Sequence, residues 1–184
     1  VSGAASNLTK DGTGLIALSG ANTYSGGTNI NEGVLRADHS DALHTSGDIV
    51  FGGGVLRHSA GNTVDYSTRI KNSAAAAKID SNCQTVTYAG VIDATNTGGL
   101  EKSGGGVLVL SAANTYTGTT TVSAGALSVT NNGALGSSAN GTSVSSGAVL
   151  ELSNAITVTG EALALNGTGV GGNGALRSTS GDNT

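Results

Sequence analysis

The chain has 184 residues, a net charge of −4 and only 11% charged residues, against roughly a quarter in an average globular domain. Gly (31), Thr (23), Ser (22) and Asn (16) together supply half of it. Eight basic residues and few aromatics argue against nucleic acid as a partner. Without an amphipathic helix, a basic patch or about 20 consecutive apolar residues, no membrane binding or insertion is expected.

The N-terminal residues 1–5, Val-Ser-Gly-Ala-Ala, lack the charged and apolar regions of a signal peptide. We therefore expect that an export signal was removed or that the chain is an excised section of a longer protein.

Short alternating apolar runs, each ended by Gly, Ser or Asn, indicate β-strands along the chain. Examples are residues 14–18, 107–110 and 149–152. The alanines at 74–77 are too few to hold a helix alone. Proline is absent, which fits strands that are hydrogen-bonded on both sides, because proline would remove a donor from the ladder. The sequence thus predicts an all-β fold with almost no helix.

A shorter unit joins these runs: an aliphatic residue, two polar or small residues, a glycine, then aliphatics. The glycine supplies a positive φ at no steric cost, so the unit predicts strand, tight turn, strand. Successive units begin 20 residues apart (Ile30 to Val50) and 22 apart (Val122 to Val144). This period predicts the coils of a parallel β-helix. Eight or nine coils about 4.8 Å apart would form a rod roughly 40 Å long.

Stacked coils make further predictions about side chains. Like positions of successive coils would place Thr on Thr along the outer faces and Asn on Asn in amide ladders at the turns. With few aromatics, the narrow interior is expected to be a column of Val, Leu, Ile and Ala.

A long internal duplication contains these units. Residues 8–43 recur without a gap as residues 100–135, 92 positions later, with 16 of 36 positions identical. In repeat proteins each copy buries its apolar face against the next one. We therefore predict one continuous β-solenoid domain over residues 1–184, with copies at about 8–99 and 100–184, each containing about four coils.

The stretch 100–122, LEKSGGGVLVLSAANTYTGTTTV, resembles the autotransporter-associated β-strand repeat of passenger regions in type V secreted bacterial proteins. That pattern has leucine, lysine, a glycine pair, alternating aliphatics, then Asn-Thr-Tyr, Gly, Thr and Val, and residues 8–30 match it almost as well. Residues 77–80 and 87–92 resemble the segment that usually precedes this pattern. Residues 165–169 and 174–177 resemble the opening of another copy. The resemblance implies a right-handed parallel β-helix, exported to the bacterial cell surface or the extracellular space, and it carries no catalytic residues.

His39, His44 and His58 lie near Asp38 and Asp41 in the sequence, which would be the composition of a metal cluster. No spacing among them matches a known ligand pattern. We therefore predict no metal site here and expect polar residues on an exposed loop.

The sequence offers little support for three other kinds of site. Residues 167–172 match the dinucleotide fingerprint formally, but no helix is predicted after them, so no cofactor is expected. The Gly-x-Ser-x-Gly nucleophile motif does not occur. Asp65, Asp80 and Asp93 could be brought together by adjacent coils, as in a polysaccharide-processing β-helix, and this stays an alternative. We predict no catalytic residue and no enzymatic activity.

Cys83 is the single cysteine, so no intrachain disulfide can form. We expect a small buried or turn residue. The alternative is an intermolecular disulfide in an oxidising compartment.

Two related functions fit these features. In one, the chain is a stiff extracellular section that displays or spaces adhesive elements. In the other, it is a protomer that polymerises through the open ends of its β-helix into filaments. The expected partners are other copies of the chain, with weak carbohydrate or protein contacts along the faces. A polysaccharide-processing or carbohydrate-binding β-helix is the alternative to both.

Overall fold

The protein is described by a computed structural model over residues 6–184. Residues 1–5, where the sequence shows no signal-peptide pattern, lie outside the described part. Residues 6–184 form sixteen short β-strands and two single-turn 3-10 segments, Ser67–Arg69 and Val170–Gly172. The expectation of almost no helix is therefore confirmed. In this part of the chain no helix combines the length and hydropathy needed to cross a bilayer.

The strands are β1 Leu8–Lys10, β2 Leu15–Leu18, β3 Thr28–Ile30, β4 Val34–Ala37, β5 Ile49–Phe51, β6 Val55–Arg57, β7 Ala77–Asp80, β8 Thr85–Tyr88, β9 Leu100–Ser103, β10 Val107–Leu110, β11 Thr120–Val122, β12 Gly125–Val129, β13 Thr142–Val144, β14 Ala148–Ser153, β15 Leu163–Leu165 and β16 Leu176–Ser180.

These strands build three parallel sheets that wrap around one axis. Sheet A contains β1-β3-β5, sheet B contains β2-β4-β6-β7-β9-β11-β13-β15, and sheet C contains β8-β10-β12-β14-β16. All of the pairings between these strands are parallel. The parallel β-solenoid predicted from the sequence is confirmed. The chain crosses sheet B eight times, about seven turns from first to last, slightly fewer than the eight or nine coils expected.

The two strands of a coil do not occupy the same faces along the whole molecule. In the first three coils one strand joins sheet A and the next joins sheet B, whereas the later coils join sheets B and C. The change occurs after β6, where residues 58–76 form no extended strand. An isolated parallel bridge between Ile49 and Ile70 continues the face of sheet A across this point. The part of each coil that forms no strand therefore lies on one face of the solenoid in the first coils and on another face in the later coils.

The internal duplication is out of phase with the coils. The first strand of each copy is β1 in sheet A and β9 in sheet B, and the second is β2 in sheet B and β10 in sheet C. The 92-residue spacing therefore equals four turns of the solenoid plus one face. The sequence predicted about four coils in each copy, and the structure adds the extra face. The repeat motif forms the same four strands, with ends that agree to within one residue, although it begins on different faces of the solenoid.

The strand-turn-strand units are confirmed at all four positions predicted, as β3-β4, β5-β6, β11-β12 and β13-β14. Gly33 and Gly125 occupy equivalent turns with φ of +61° and +68°. A Cβ on Gly125 would lie 2.6 Å from the carbonyl oxygens of both Gly104 and Gly106 in the preceding coil. The turn thus needs glycine for its dihedral and for the close approach of the neighbouring backbone.

The core is a narrow column of aliphatic side chains, with one departure from the expectation. Tyr24, Tyr66, Tyr88, Tyr116 and Phe51 are all at most 1% exposed, so every aromatic residue of the chain lies inside. The few aromatics are accordingly core residues, although sequence analysis had assigned the interior to aliphatic residues alone.

The asparagines also differ from the prediction of Asn-on-Asn ladders. The side-chain amide of Asn22 donates to the carbonyl of Ala42 (2.8 Å), and that of Asn96 donates to the carbonyl of Ile70 (2.8 Å). Buried amides thus bond the backbone of the adjacent coil, because a backbone carbonyl at a turn lacks a ladder partner. Thr120 and Thr142 do lie opposite each other in sheet B, but both are buried, so this pair stacks inside the solenoid and not along an outer face as predicted.

Candidate functional site

Each copy of the repeat buries a lysine inside the solenoid. Lys102 is 0% exposed, and its Nζ donates to the carbonyl oxygens of Ser103 (2.8 Å), Gly104 (2.7 Å) and Ala124 (3.1 Å). An ammonium group has three donors, so this cage of three carbonyls satisfies it fully. Burial lowers the pKa of Lys102 to about 8, against the opposing influence of Asp80 and Cys83.

Lys10 repeats the arrangement in the first copy. It is 2% exposed, and its Nζ donates to the carbonyls of Asp11, Gly12 and Glu32. The carbonyl of Glu32, like that of Ala124, belongs to the following coil, so each lysine ties two coils together. The sequence contains a signal for this burial that was missed. In Leu-x-Lys at the start of each copy, the lysine shares the inward face with the leucine, because side chains alternate along a strand.

The Asn-x-Tyr pair of the repeat is also internal. The hydroxyls of Tyr24 and Tyr116 hydrogen-bond Thr28 Oγ1 (2.7 Å) and Thr120 Oγ1 (2.6 Å). Burial raises the pKa of both phenols. The amide of Asn114 donates to the carbonyl of Ala134 (2.7 Å) in the next coil, as that of Asn22 does in the first copy. The asparagines of the repeat therefore link successive coils, the tyrosines hold threonines of their own coil, and neither residue forms a surface site.

His58 contradicts the expectation of an exposed loop histidine. It is 0% exposed, its ring stacks on Tyr66 at 5.7 Å, and it meets the edge of Tyr88 at 5.9 Å. Its Nδ1 lies 3.1 Å from the carbonyl oxygen of Asn62 and its Nε2 lies 3.0 Å from the hydroxyl of Tyr88. Since a carbonyl can only accept, the neutral ring carries its proton on Nδ1 and accepts from Tyr88. Burial lowers the pKa of His58 below its usual value.

The other residues of the histidine-rich region lie near the surface, as expected. His39 Nδ1 accepts the backbone N–H of Asp41 (3.0 Å), and Asp38 forms a bidentate ion pair with Arg36. Within residues 6–184, no three His, Cys, Asp or Glu side chains are grouped so that they could hold a metal ion.

The carboxylates considered for polysaccharide chemistry are engaged separately. Asp80 pairs with Arg57 at 2.6 Å, and Asp93 pairs with Lys71. Asp65 accepts the backbone N–H and the hydroxyl of Ser67. Each of the three acids is thus held by its own partners. The dinucleotide-like residues 167–172 contain the single 3-10 turn Val170–Gly172, and no α-helix follows them within residues 6–184.

Cys83 lies in the turn between β7 and β8 with φ of +62°. The turn position is confirmed, but the alternative of a buried residue is wrong, because the thiol is exposed. The possibility of an intermolecular disulfide stays a prediction.

A surface cleft of about 350 Å³ opens between two loops of the first copy. Its lining comes from the loop after β4 and the loop after β6, and consists of Ser40, Asp41, His44, Thr45, Val64, Asp65, Tyr66, Thr68 and Arg69. The Arg69 guanidinium donates to the carbonyls of His44 (2.7 Å), Ser46 (2.7 Å) and Gly47 (2.8 Å) and lies 5.8 Å from the centre of the Tyr66 ring. Arg69 thereby fixes the position of one loop against the other.

The two edges of sheet B expose large apolar side chains. In β2, Leu15 and Ile16 are 47% and 44% exposed, and in β15, Leu163 and Leu165 are 40% and 43% exposed. The residue that corresponds to Ile16 in the second copy is Leu108, which is fully buried and pairs with Val86 of the preceding coil. Ile16 thus has the pattern of an interior residue, and it is exposed because β2 is an edge strand in this structure.

Comparison with known proteins finds relatives of the repeated sequence. The sequence model of the passenger-associated-transport-repeat family matches residues 8–37 and 100–129. Adhesin BmaC autotransporter from Brucella suis biovar 1 (strain 1330) is 37% identical over 135 residues, which are 66% of this chain and only 4% of that relative's length. No solved structure matches the chain significantly.

Proposed function

Because the chain carries two passenger-associated-transport repeats, we propose that it is a stiff, non-enzymatic section of an extracellular adhesive β-solenoid. The observation that carries this proposal is the inward orientation of the repeat's own residues. The lysine and asparagine of each copy bond one coil to the next, and the tyrosine is buried within its own coil, so the repeated sequence encodes a continuous rod. The similarity to an adhesin supports an adhesive role at the bacterial cell surface.

The proposal is tested first by shape and then by attachment. Small-angle scattering of the purified chain should give a rod roughly 40 Å long, from eight strands about 4.8 Å apart. Beads coated with the folded chain should attach to host cells or to their extracellular matrix more than beads coated with the heat-unfolded chain. Equal attachment of both bead types, or cleavage of a polysaccharide by the chain, would contradict an adhesive, non-enzymatic section.

End-to-end association into filaments is a second candidate, favoured by the exposed edges of sheet B. An edge strand presents unpaired backbone groups, and β2 and β15 add exposed leucine and isoleucine side chains to them. Joining β15 of one copy to β2 of another would continue the same sheet in the same direction, a head-to-tail contact that propagates when it does not close. In a longer polypeptide, a neighbouring coil would cover the same edge.

The filament candidate is tested by sedimentation and electron microscopy of the chain at rising concentration. Uniform fibres should form in the wild type and be lost in Ile16→Lys and Leu165→Lys, because a lysine at either edge opposes strand addition. Thr87→Lys, on the exposed side of β8, is the matched control. A monomer at all concentrations would exclude this candidate and leave the scaffold proposal unaffected.

A further inference from the structure

We propose that the cleft between the loop after β4 and the loop after β6 binds a short, uncharged saccharide. The inference rests on the proposed adhesive function, for which the cleft would supply a point of contact. It arises from a comparison of the two copies of the repeat, since the second copy has the same framework without counterparts of Asp41, His44, Tyr66 and Arg69.

The first wall of the cleft shows this difference directly. Ala42 and Leu43 recur as Ala134 and Leu135, and both pairs are buried. Asp41 and His44 do not recur, because the second copy has glycine at positions 133 and 136, whereas Ser40 and Thr45 are replaced by the polar residues Asn132 and Ser137. The framework residues of this loop are retained, and the carboxylate of Asp41 and the imidazole of His44 are specific to the first copy.

The second wall differs in the same way. The pairs Ile49–Ile70 and Thr142–Leu163 occupy equivalent places in the coils, so the loop of residues 58–69 corresponds to residues 152–162. The first loop carries Asp65, Tyr66 and Arg69, whereas residues 152–162 contain no aromatic or basic residue and one acid, Glu161. The fold of the repeat therefore does not require the cleft side chains.

The backbone of His44 adds an independent observation. His44 has φ of +47°, in the left-handed region, where the second copy has Gly136 at +78°. A residue with a Cβ loses roughly 1–2 kcal/mol in this conformation relative to glycine. An observed backbone outlier of this kind is a reason to look for a function. Here a histidine stands at a position that glycine fills without strain.

The chemistry of the cleft fits a hydroxyl-rich, uncharged ligand. Ser40, Thr45 and Thr68 bring exposed hydroxyls to it, and Asp41 brings a carboxylate whose side chain is 51% exposed. Two carboxylates and one guanidinium line the walls, which disfavours an anionic sugar. The half-buried ring of His44 and the side chain of Val64 offer an apolar surface to the C–H face of a sugar ring.

The cleft is also held in place before any ligand arrives. Arg69 uses three of its N–H groups on carbonyls of the opposite loop, and Asp65 accepts the backbone N–H of Ala89 in the next coil at 2.7 Å. Fixed walls reduce the entropy lost on binding. A volume of about 350 Å³ lies at the lower end of the roughly 300–1,000 Å³ of ligand pockets, which suits one or two sugar units.

The experiment titrates the whole chain with glucose, galactose, mannose and N-acetylglucosamine, and with glucuronate as the anionic counterpart, followed by amide chemical shifts. Saturable shifts confined to residues 38–47 and 58–69 are expected with at least one neutral sugar and not with glucuronate. His44→Gly and Asp41→Gly, which install the residues of the second copy, should each weaken binding at least tenfold. His44→Gly should have an unfolding midpoint equal to or above that of the wild type. Ser138→Ala, in the second copy, is the control that keeps full binding.

Absence of saturable shifts with every neutral sugar at millimolar concentration would overturn the proposal. So would shifts outside the two loops, tighter binding of glucuronate, or full binding by both variants. The wild-type shift map locates the site even if a variant fails to fold. Small-angle scattering from the wild-type chain tests the scaffold proposal separately from sugar binding. A chain that scatters as a rod but binds no sugar contradicts the cleft proposal and leaves the scaffold proposal intact.

Discussion

At the scale of single residues, the hydrogen bonds of Lys10 and Lys102 explain how a chain with few charges holds both lysines inside the solenoid. Lys102 donates to three backbone carbonyls of two successive coils, and Lys10 does the same in the first copy. A neutral side chain of similar length would leave those carbonyls buried without a donor, which costs roughly 1–3 kcal/mol. The cage therefore ties a tight turn to the coil that follows it.

We predict that the free energy of unfolding rises between pH 8 and about pH 9.5 because of Lys102. Its pKa is about 8 in the folded protein and 10.5 when exposed, so in this range the unfolded state binds more protons and stability increases with pH. Urea unfolding at a series of pH values measures this. In Lys102→Met the rise should disappear. At pH 9.5 the buried amine of the wild type is neutral, so it carries no penalty for a buried charge. The variant should therefore be less stable than the wild type by about 1–3 kcal/mol at this pH, because it leaves the carbonyls without a donor. Lys78→Met, at a partly exposed lysine of the neighbouring strand, should change stability by less than about 0.5 kcal/mol. An unchanged pH profile in Lys102→Met would contradict the prediction.

A second pH effect is predicted for His58. Burial lowers its pKa below the usual 6.5, so on acidification the unfolded state takes up a proton first and stability falls as the pH drops through 6.5. Unfolding measured between pH 7 and about pH 4.5 should show this loss, above the range in which Asp38 and Asp93, whose pKa values are lowered by Arg36 and Lys71, begin to contribute. His58→Gln keeps a polar side chain without the titration, and its stability should change less over the same interval. An identical slope in both proteins would assign the acid sensitivity to other groups.

These residues differ in how far the sequence could have revealed them. The burial of both lysines follows from the alternation Leu-x-Lys, which is written in the chain and needs only the strand to be recognised. His58 carries no such signal, because its burial depends on Tyr66 and Tyr88, which reach it from its own loop and from the following coil. His44 is similar, since only the comparison of its φ with that of Gly136 reveals the strain.

At the scale of strands and turns, local signals specified most of the elements. The alternating run at residues 107–110 is β10, and the aliphatic-x-x-Gly units mark four strand pairs because a glycine turn and two short apolar runs are local features. β8 had no such prediction. Its Thr-Val-Thr-Tyr sequence contains a single aliphatic residue, and the strand forms because Val86 and Tyr88 pair with Leu108 and Leu110 of the next coil.

Three glycine-to-alanine substitutions separate the cost of a left-handed φ from the cost of a close contact at the new Cβ. Gly125→Ala should destabilise by more than about 2 kcal/mol, because it combines a left-handed φ with contacts of 2.6 Å to backbone oxygens and 2.9 Å to Lys102 Nζ. Gly147→Ala has a φ of +81° with open space around the new Cβ, so it should cost roughly 1–2 kcal/mol from the dihedral alone. Gly14→Ala has neither problem and should be neutral or slightly stabilising. Chemical unfolding of the three variants gives the order directly, and similar losses in Gly125→Ala and Gly147→Ala would show that the close contact relaxes at no cost.

At the scale of the whole molecule, the phase of the duplication determines where surface features point. Because 92 residues make four turns and one face, equivalent surface positions of the two copies lie about one third of a turn apart around the axis. The periodicity in the sequence predicted the solenoid, but it could not reveal this rotation. The rotation depends on residues 58–76, which contain no extended strand and move the loop to another face. Variation between copies would accordingly distribute different loops around the rod.

The solenoid should also be unequally stable along its axis. Each coil contacts chiefly its neighbours, so a central coil is stabilised from two sides and an end coil from one. In β2 all but one residue is exposed, and in β15 all three are, whereas at least half of the residues in every strand from β7 to β12 are buried. Native-state hydrogen exchange should therefore show the greatest protection in β7 to β12, close to that of global unfolding, and decreasing protection toward β2 and β15. The amide of Val107, bonded to the carbonyl of Gln84 at 2.8 Å, should exchange much more slowly than that of Val34, bonded to Gly14 of the edge coil at 3.1 Å. Equal protection along the rod would mean that the coils unfold as one unit, and slower exchange at the edges in concentrated samples would indicate that a second copy covers them.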